Sequence, residues 1–247
     1  MLDSIKRLLG KSPDDPDMAS LEAWADTRHF SLRRSRDGNA ALVEGRFGTQ
    51  AWRVEWGPSQ RRYIPGHELR ILAELGLSRE IQVLVLNREL RESMEQSVYD
   101  NFVGGVQTKI DTETPPEMRW LVMFGSLEAH EIGKLYERYS ALGSRKAWVT
   151  SWLSGALNAA LEVTVRRVPA VHPVVMTIGR GRLTLRTAMA HADAHTIAFW
   201  LAIFECAVHE AQRVTQDAAG VPPANPYEDI VDETELGPPD NSRNLKF

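Results

Sequence analysis

The chain has 247 residues, 43% hydrophobic and 25% charged, with a formal net charge of −4. That length can bury a sizeable core in one or two domains, and the charge balance excludes bulk attraction to nucleic acid or anionic lipid. Cys206, the single cysteine, excludes an intrachain disulfide and a cysteine-ligated metal cluster and fits a reducing compartment.

Residues 1–17 read as an amphipathic segment and a linker. Leu2, Ile5, Leu8 and Leu9 share one helical face, and "SPDDPD" follows as a turn-rich acidic break. The N-terminus lacks the long apolar region of a signal peptide. The apolar run Ile197 to Val208 is too short to span a bilayer and contains Glu205. A protein of the cytoplasm is expected.

A globular α+β region is expected over 18–216. Leu21, Trp24 and Ala25 predict a helix from about Met18. The period then changes to two, predicting an antiparallel sheet from roughly Phe30 to Leu86. In "QAWRVEW", Trp52, Val54 and Trp56 point one way. With "ALVEGRFGTQ" before it, Ala41–Trp56 predicts a hairpin turning near Gly48 and Thr49. "RRYI" predicts a short strand. "HELRILAEL" suits either type, with strand preferred because "IQVLVL" follows and could pair with it.

Asn87 is placed to cap a helix over "RELRESMEQSVYDNFV", where Leu90, Met94, Val98 and Phe102 keep helical register. Gly104 and Gly105 stop it, and 104–116 is a candidate sub-boundary. "EMRWLVMF" is open to either type. A helical middle segment is expected over "EAHEIGKLYERYSAL" and "SRKAWVTSWLSGALNAALEVT", with Ser144 capping the second part. "HPVVMTIGRGRLTLRT" predicts a second hairpin turning at "GRG". A long C-terminal helix follows from Asp193. The acidic, proline-rich tail, 217–247, has a disordered composition.

The histidine-bearing stretch from Thr187 to Val214 invites a metal or catalytic reading. On a helix, Phe199, Trp200, Ile203, Phe204 and Ala207 fill one arc, while His195, Glu205, His209 and Arg213 fall opposite. His195 and His209 are 14 residues apart, about 21 Å at ~1.5 Å per residue, so one ion cannot bridge them. Asp193 as N-cap leaves His191 outside the helix. No metal site, cofactor or Gly-rich phosphate cradle is expected. Cys206 reads as a packing residue.

Between Arg145 and Arg186 seven basic residues (Arg145, Lys146, Arg166, Arg167, Arg180, Arg182, Arg186) stand against Glu162 alone. With Trp148 and Trp152 nearby, this is a candidate basic patch for nucleic acid or an anionic surface. The acidic tail could fold back over it. The spacings of Trp52/Trp56 and Trp148/Trp152 place those rings in a core or an interface.

The order helix, antiparallel strands, helix, hairpin, long helix resembles small α+β chaperone-like modules that bind extended partners. Catalytic signatures are missing from the sequence, and on that ground the leading expectation is a non-catalytic protein–protein interaction or adaptor module, with a protein partner or a homo-oligomer. Its candidate interaction residues are Leu2, Ile5, Leu8, Leu9, Arg166, Arg167, Arg180 and Arg182. Nucleic acid is not the expected partner, and membrane contact is limited to weak peripheral association through the N-terminal segment. The alternatives are an enzyme with a scattered site, in a pocket holding His172, His195 or His209, and an anion binder using the Arg145–Arg186 region.

Overall fold

The computed structural model describes residues 16–103 and 115–220. Helix α1 (Pro16–Thr27) leads into β1 (Ser31–Arg34), β2 (Ala41–Phe47), β3 (Gln50–Pro58), β4 (His67–Glu74) and β5 (Val83–Asn87). Helices α2 (Arg88–Val103) and α3 (Pro116–Met123) follow, then the short α4 (Ala129–Ile132), a 3-10 turn and β6 (Tyr139–Gly143). The chain ends in α5 (Lys146–Trp152), α6 (Ala156–Arg167), the hairpin β7 (Val174–Gly179) and β8 (Arg182–Ala188), and the long α7 (Ala194–Gly220).

The described strands form one antiparallel eight-stranded sheet in the order β1-β2-β3-β4-β8-β7-β5-β6. Strands from both sides of residues 104–114 therefore share a single sheet. Alternation sorts the side chains between two faces. On one face Val43, Trp52, Val54, Ile71, Leu185, Met176 and Val85 are buried in the main core with α1, α5, α6 and α7. Trp200, Ile203, Phe204 and Ala207 are the buried arc of α7, while His195, His209 and Arg213 are exposed as the helical periodicity predicts.

The second face is covered over part of its width. Leu84, Leu86, Leu142 and Val175 form a smaller core with Met94 of α2 and Leu121 of α3. Trp120 of α3 lies on Gly179 of β7: a methyl group there would meet the ring at 2.8 Å, so glycine is what lets the helix settle.

Local chemistry accounts for the ends of these elements. Arg180 and Gly181 have φ of 55° and 80°, the mirror-image turn that suits the twist of a two-residue hairpin. Asp193 caps α7, with Oδ2 accepting from Thr196 N at 2.7 Å and Oδ1 from His195 N at 3.3 Å. A hydrogen bond from the Thr196 side chain first, and these two backbone bonds after it, hold its carboxyl below the usual aspartate value.

Several expectations require correction. "RRYI" is a turn rather than a strand; Tyr63 and Ile64 are drawn inward while Arg62 stays exposed. Strand β5 pairs with β6 and β7, not with β4, because the β7–β8 hairpin inserts between them. The region expected as helix over "EAHEIGKLYERYSAL" contains β6, whose five residues are all buried. "SRKAW…" forms two helices, broken where Gly155 takes φ 72°. Ser144 does not cap α5; its hydroxyl donates to Glu80 O at 2.6 Å and accepts from Gln82 N at 3.0 Å. Asn87 precedes α2 but its side chain serves the sheet end, donating to Ala170 O at 2.9 Å and accepting from Val174 N at 3.0 Å. "EMRWLVMF", open to either type, is the helix α3.

Candidate functional site

Beyond the cover of α2 and α3, the second face of β1, β2, β3, β4 and β8 is a field of ordered charge. Strand register puts Arg33, Leu42, Glu55, Arg70 and Arg186 in one cross-strand row, each opposite the next. Glu44, Arg53, Leu72 and Thr184 form the row beside it. Cross-strand neighbours of opposite sign stabilise such rows. Glu55 accepts from Arg70 at 2.8 Å, and Glu44 pairs with Arg33 and, at 3.2 Å, with Arg53.

The row is anchored by a buried carboxylate. Glu68 is 0% exposed, between Arg186 Nη1 at 2.8 Å and Arg70 Nε at 3.2 Å. Burial pulls the Arg70 guanidinium below the usual arginine value, and the charges of Arg186 and Arg61 add to that, while Glu55 and Glu68 oppose it. Arginine remains charged through any such shift. The pair therefore holds a fixed charge pattern.

A second knot ties α3 to this face. Glu117 is buried, and its Oε1 accepts from Arg61 Nε and from Tyr63 Oη, both at 2.5 Å. Burial first, and the Glu117 charge second, push the Tyr63 phenol well above the ordinary tyrosine value. It stays protonated and keeps donating. For Arg61 the Glu117 contacts outweigh the lowering by burial, leaving its pKa raised.

Where the rows meet the sheet edge lies a shallow open cleft of about 420 Å³. Arg33, Arg34, Leu42, Glu55, Trp56 and Arg70 are among its lining residues. It holds three arginines against one glutamate, and Trp56 supplies an apolar wall. It adjoins β1, which pairs with β2 alone at the end of the strand order. The cleft suits a carboxylate-bearing extended ligand: guanidinium forks bind carboxylates, and an edge strand accepts another strand.

The candidate residues named from sequence do not converge here. Leu2, Ile5, Leu8 and Leu9 lie outside the described residues. Arg166 and Arg167 are exposed at the end of α6, Arg167 lying 5.7 Å from the Phe199 ring. Arg180 and Arg182 sit at the β7–β8 turn. The six residues of β7 separate the two pairs, about 20 Å at ~3.3 Å per residue. Arg186 leaves that group for the buried ion pair with Glu68.

His191, His195 and His209 are exposed, and His172 is half-buried with Nε2 2.8 Å from Thr187 Oγ1. Among the described residues, no three His, Cys, Asp or Glu side chains gather to hold a metal ion. Burial, helped by Glu205, raises the Cys206 thiol, which reduces its thiolate character. Trp52, Trp56, Trp148, Trp152 and Trp200 are core residues. No helix among the described residues is long and apolar enough to cross a membrane.

Sequence reasoning missed Arg33, Glu55, Glu68, Arg70, Arg61, Tyr63 and Glu117. The signal was the polar half of each strand alternation, as in "RVEW" and "ELRIL", whose charges of both signs read as a solvated face.

No protein-family model matches the sequence, and no curated protein matches it. Among solved structures, the chain is similar to the mycobacterial trehalose monomycolate transport factor A, TtfA. The TM-score is 0.42 at 10% identity, over 80% of this chain and 93% of that one, a likeness too distant to transfer a function.

Proposed function

We propose that the protein is a protein-binding module that takes an extended, carboxylate-bearing segment of a partner at the open end of β1, β2 and β3. The observation that carries this reading is the cleft at the sheet edge, lined by Arg33, Arg34 and Arg70 beside β1, which pairs with β2 alone. An added strand would pair along β1 through main-chain hydrogen bonds, with alternate side chains reaching the charged rows.

Arg33 and Arg34 already pair with Glu44 and Glu22, but both arginines are more than half exposed. Exposed pairs of this kind are worth little, so exchange for a partner carboxylate is cheap. A second copy fits the same edge poorly, since two β1 strands would bring Arg33 and Arg34 of both chains together, and like charges across a strand pair repel. The same arginines also protect the edge from non-specific pairing.

The test is titration with blocked extended peptides of alternating valine and glutamate, against the valine and lysine counterpart. The glutamate peptide binds, and Arg33→Glu/Arg34→Glu weakens it by about tenfold or more. Equal binding of both peptides, or none of the acidic one, overturns the reading.

A further inference from the structure

The end of the sheet formed by the β2–β3 and β7–β8 turns carries an excess of positive charge. Leu75 N donates to Gly181 O at 2.8 Å, and Ser144 N donates to Gln82 O at 2.9 Å. The loop between β4 and β5 therefore runs along this end, from the β7–β8 turn to the end of β6. It places Arg79, Arg145, Lys146, Arg180 and Arg182 in one exposed strip, with Glu74 and Glu80 as the carboxylates among them. Arg145 pairs with Glu80 at 2.6 Å and Arg182 with Glu74 at 2.5 Å, all four side chains more than half exposed. Such pairs exchange readily. Arg79 and Arg180 form no ion pair among the described residues.

Helix α7 arrives at the same end. Gln212 Nε2 donates to Gln50 Oε1 at 3.3 Å, Gln50 Nε2 donates to Glu74 O at 2.9 Å, and Glu74 pairs with Arg182. Three successive contacts thus link the helix to the basic strip. From Gln212 to Gly220 the helix adds about 12 Å at ~1.5 Å per residue. Residues 221–247 follow, with six acidic side chains against two basic ones. Five of the acids, Glu228, Asp229, Asp232, Glu233 and Glu235, fall within eight residues. They begin eight residues past Gly220, an extended reach of about 26 Å at ~3.3 Å per residue.

We infer that the acidic segment 228–235 docks on the Arg79–Arg145–Lys146–Arg180–Arg182 strip of its own chain. Charge complementarity, the point at which α7 ends and the length of chain beyond it all select this occupant. Tethering in the same chain raises the effective concentration of the segment at the strip. The docked segment covers the strip and competes with any outside anion. The inference is independent of the cleft at the opposite end of β3.

The experiment uses the full chain with Cys206→Ser and a nitroxide attached through Ile230→Cys, read by paramagnetic broadening of backbone amides. Broadening is expected at residues 79–80, 145–146 and 180–182. It is expected to disappear in 0.5 M salt and in Arg79→Glu/Arg182→Glu, whose altered side chains are exposed and leave the fold intact by circular dichroism. Neutralising Glu228, Asp229, Asp232, Glu233 and Glu235 to their amides removes it as well. Broadening centred on Arg33 and Leu42 would overturn the inference and give the tail to the cleft. Broadening seen only between labelled and unlabelled molecules would assign the strip to a second copy. No broadening on the strip would leave it to an external anion, and equally sinks the inference.

Discussion

Arg186 Nη1 donates to Glu68 Oε1 at 2.8 Å across neighbouring strands, and the carboxylate that receives it has no exposure to solvent. Its other oxygen, Oε2, is buried without a hydrogen bond among the described residues. The pair is thus a costly element kept in place by its neighbours Arg70 and Glu55. Removing one partner strands the other charges in a low-dielectric setting. Glu68→Gln is expected to cost about 3–5 kcal/mol, the range for breaking a buried pair. Glu68→Met/Arg186→Met is expected to cost much less than the sum of the single changes. Urea unfolding of wild type, Glu68→Met, Arg186→Met and the double variant, with Glu68→Gln measured beside them, checks this. Additive losses would mean that the two residues contribute separately.

Trp120 and Gly179 show how α3 is held. The nearest atom of the indole lies 2.8 Å from where a β-carbon on Gly179 would be. Gly179→Ala is expected to destabilise by about 1–3 kcal/mol, the usual cost of overpacking. Combining it with Trp120→Leu should recover part of that loss, because the smaller side chain leaves space for the methyl group. Thermal or urea midpoints decide the matter; if the double variant is as unstable as the two losses added, the contact is not what limits the site.

Asp193 gives a third expectation. Its two oxygens receive the amides of Thr196 and His195 at the start of the 27-residue α7. Asp193→Ala is expected to cost about 1 kcal/mol, as other N-cap losses do, with Asp193→Ser retaining most of it. The folded carboxyl lies below the ordinary aspartate value of 3.8. Its contribution is therefore complete above that value and lost as pH falls through the folded one. A wild-type excess over Asp193→Ala that persists unchanged at pH 2 would sink the explanation.

Both hairpins, the strand over "HELRILAEL" and the cap and faces of α7 were legible because each is a local pattern, whether a period of two, a positive-φ turn or an aspartate before an apolar helix. Strand β6 was not. "YSALG" is too short for periodicity to decide, and burial on both faces removes the alternation that marks a half-exposed strand. The place of β5 next to β7 was equally hidden, since the hairpin inserted between β4 and β5 comes from about 90 residues further along the chain. The charged rows were present in sequence as alternate polar residues, yet their convergence depends on the register of five strands. The buried Glu68 illustrates the limit: beside Arg70 in "HELRIL" it looks like any solvated pair, and only β8 supplies Arg186 to close over it.

His172 carries the last expectation, because its protonation is tied to the loop that feeds β7. Its ring is half-buried, with Nε2 2.8 Å from Thr187 Oγ1. Burial pushes its pKa below the ordinary histidine value of 6.5; a backbone hydrogen bond at Ala188 opposes the shift and the charge of Arg138 adds to it. Between the folded and unfolded values the unfolded chain binds more protons, so stability rises with pH there. The contribution of His172 is complete above about 6.5 and is lost as pH falls through the lower, folded value. His172→Gln keeps a polar contact to Thr187 while removing the titration. Wild-type protein is therefore expected to lose more of its urea midpoint between pH 7.5 and 5 than His172→Gln does. The remaining histidines are common to both proteins and drop out of the difference. Parallel pH profiles would show that the ring charges without cost, and that the loop opens to water on its own.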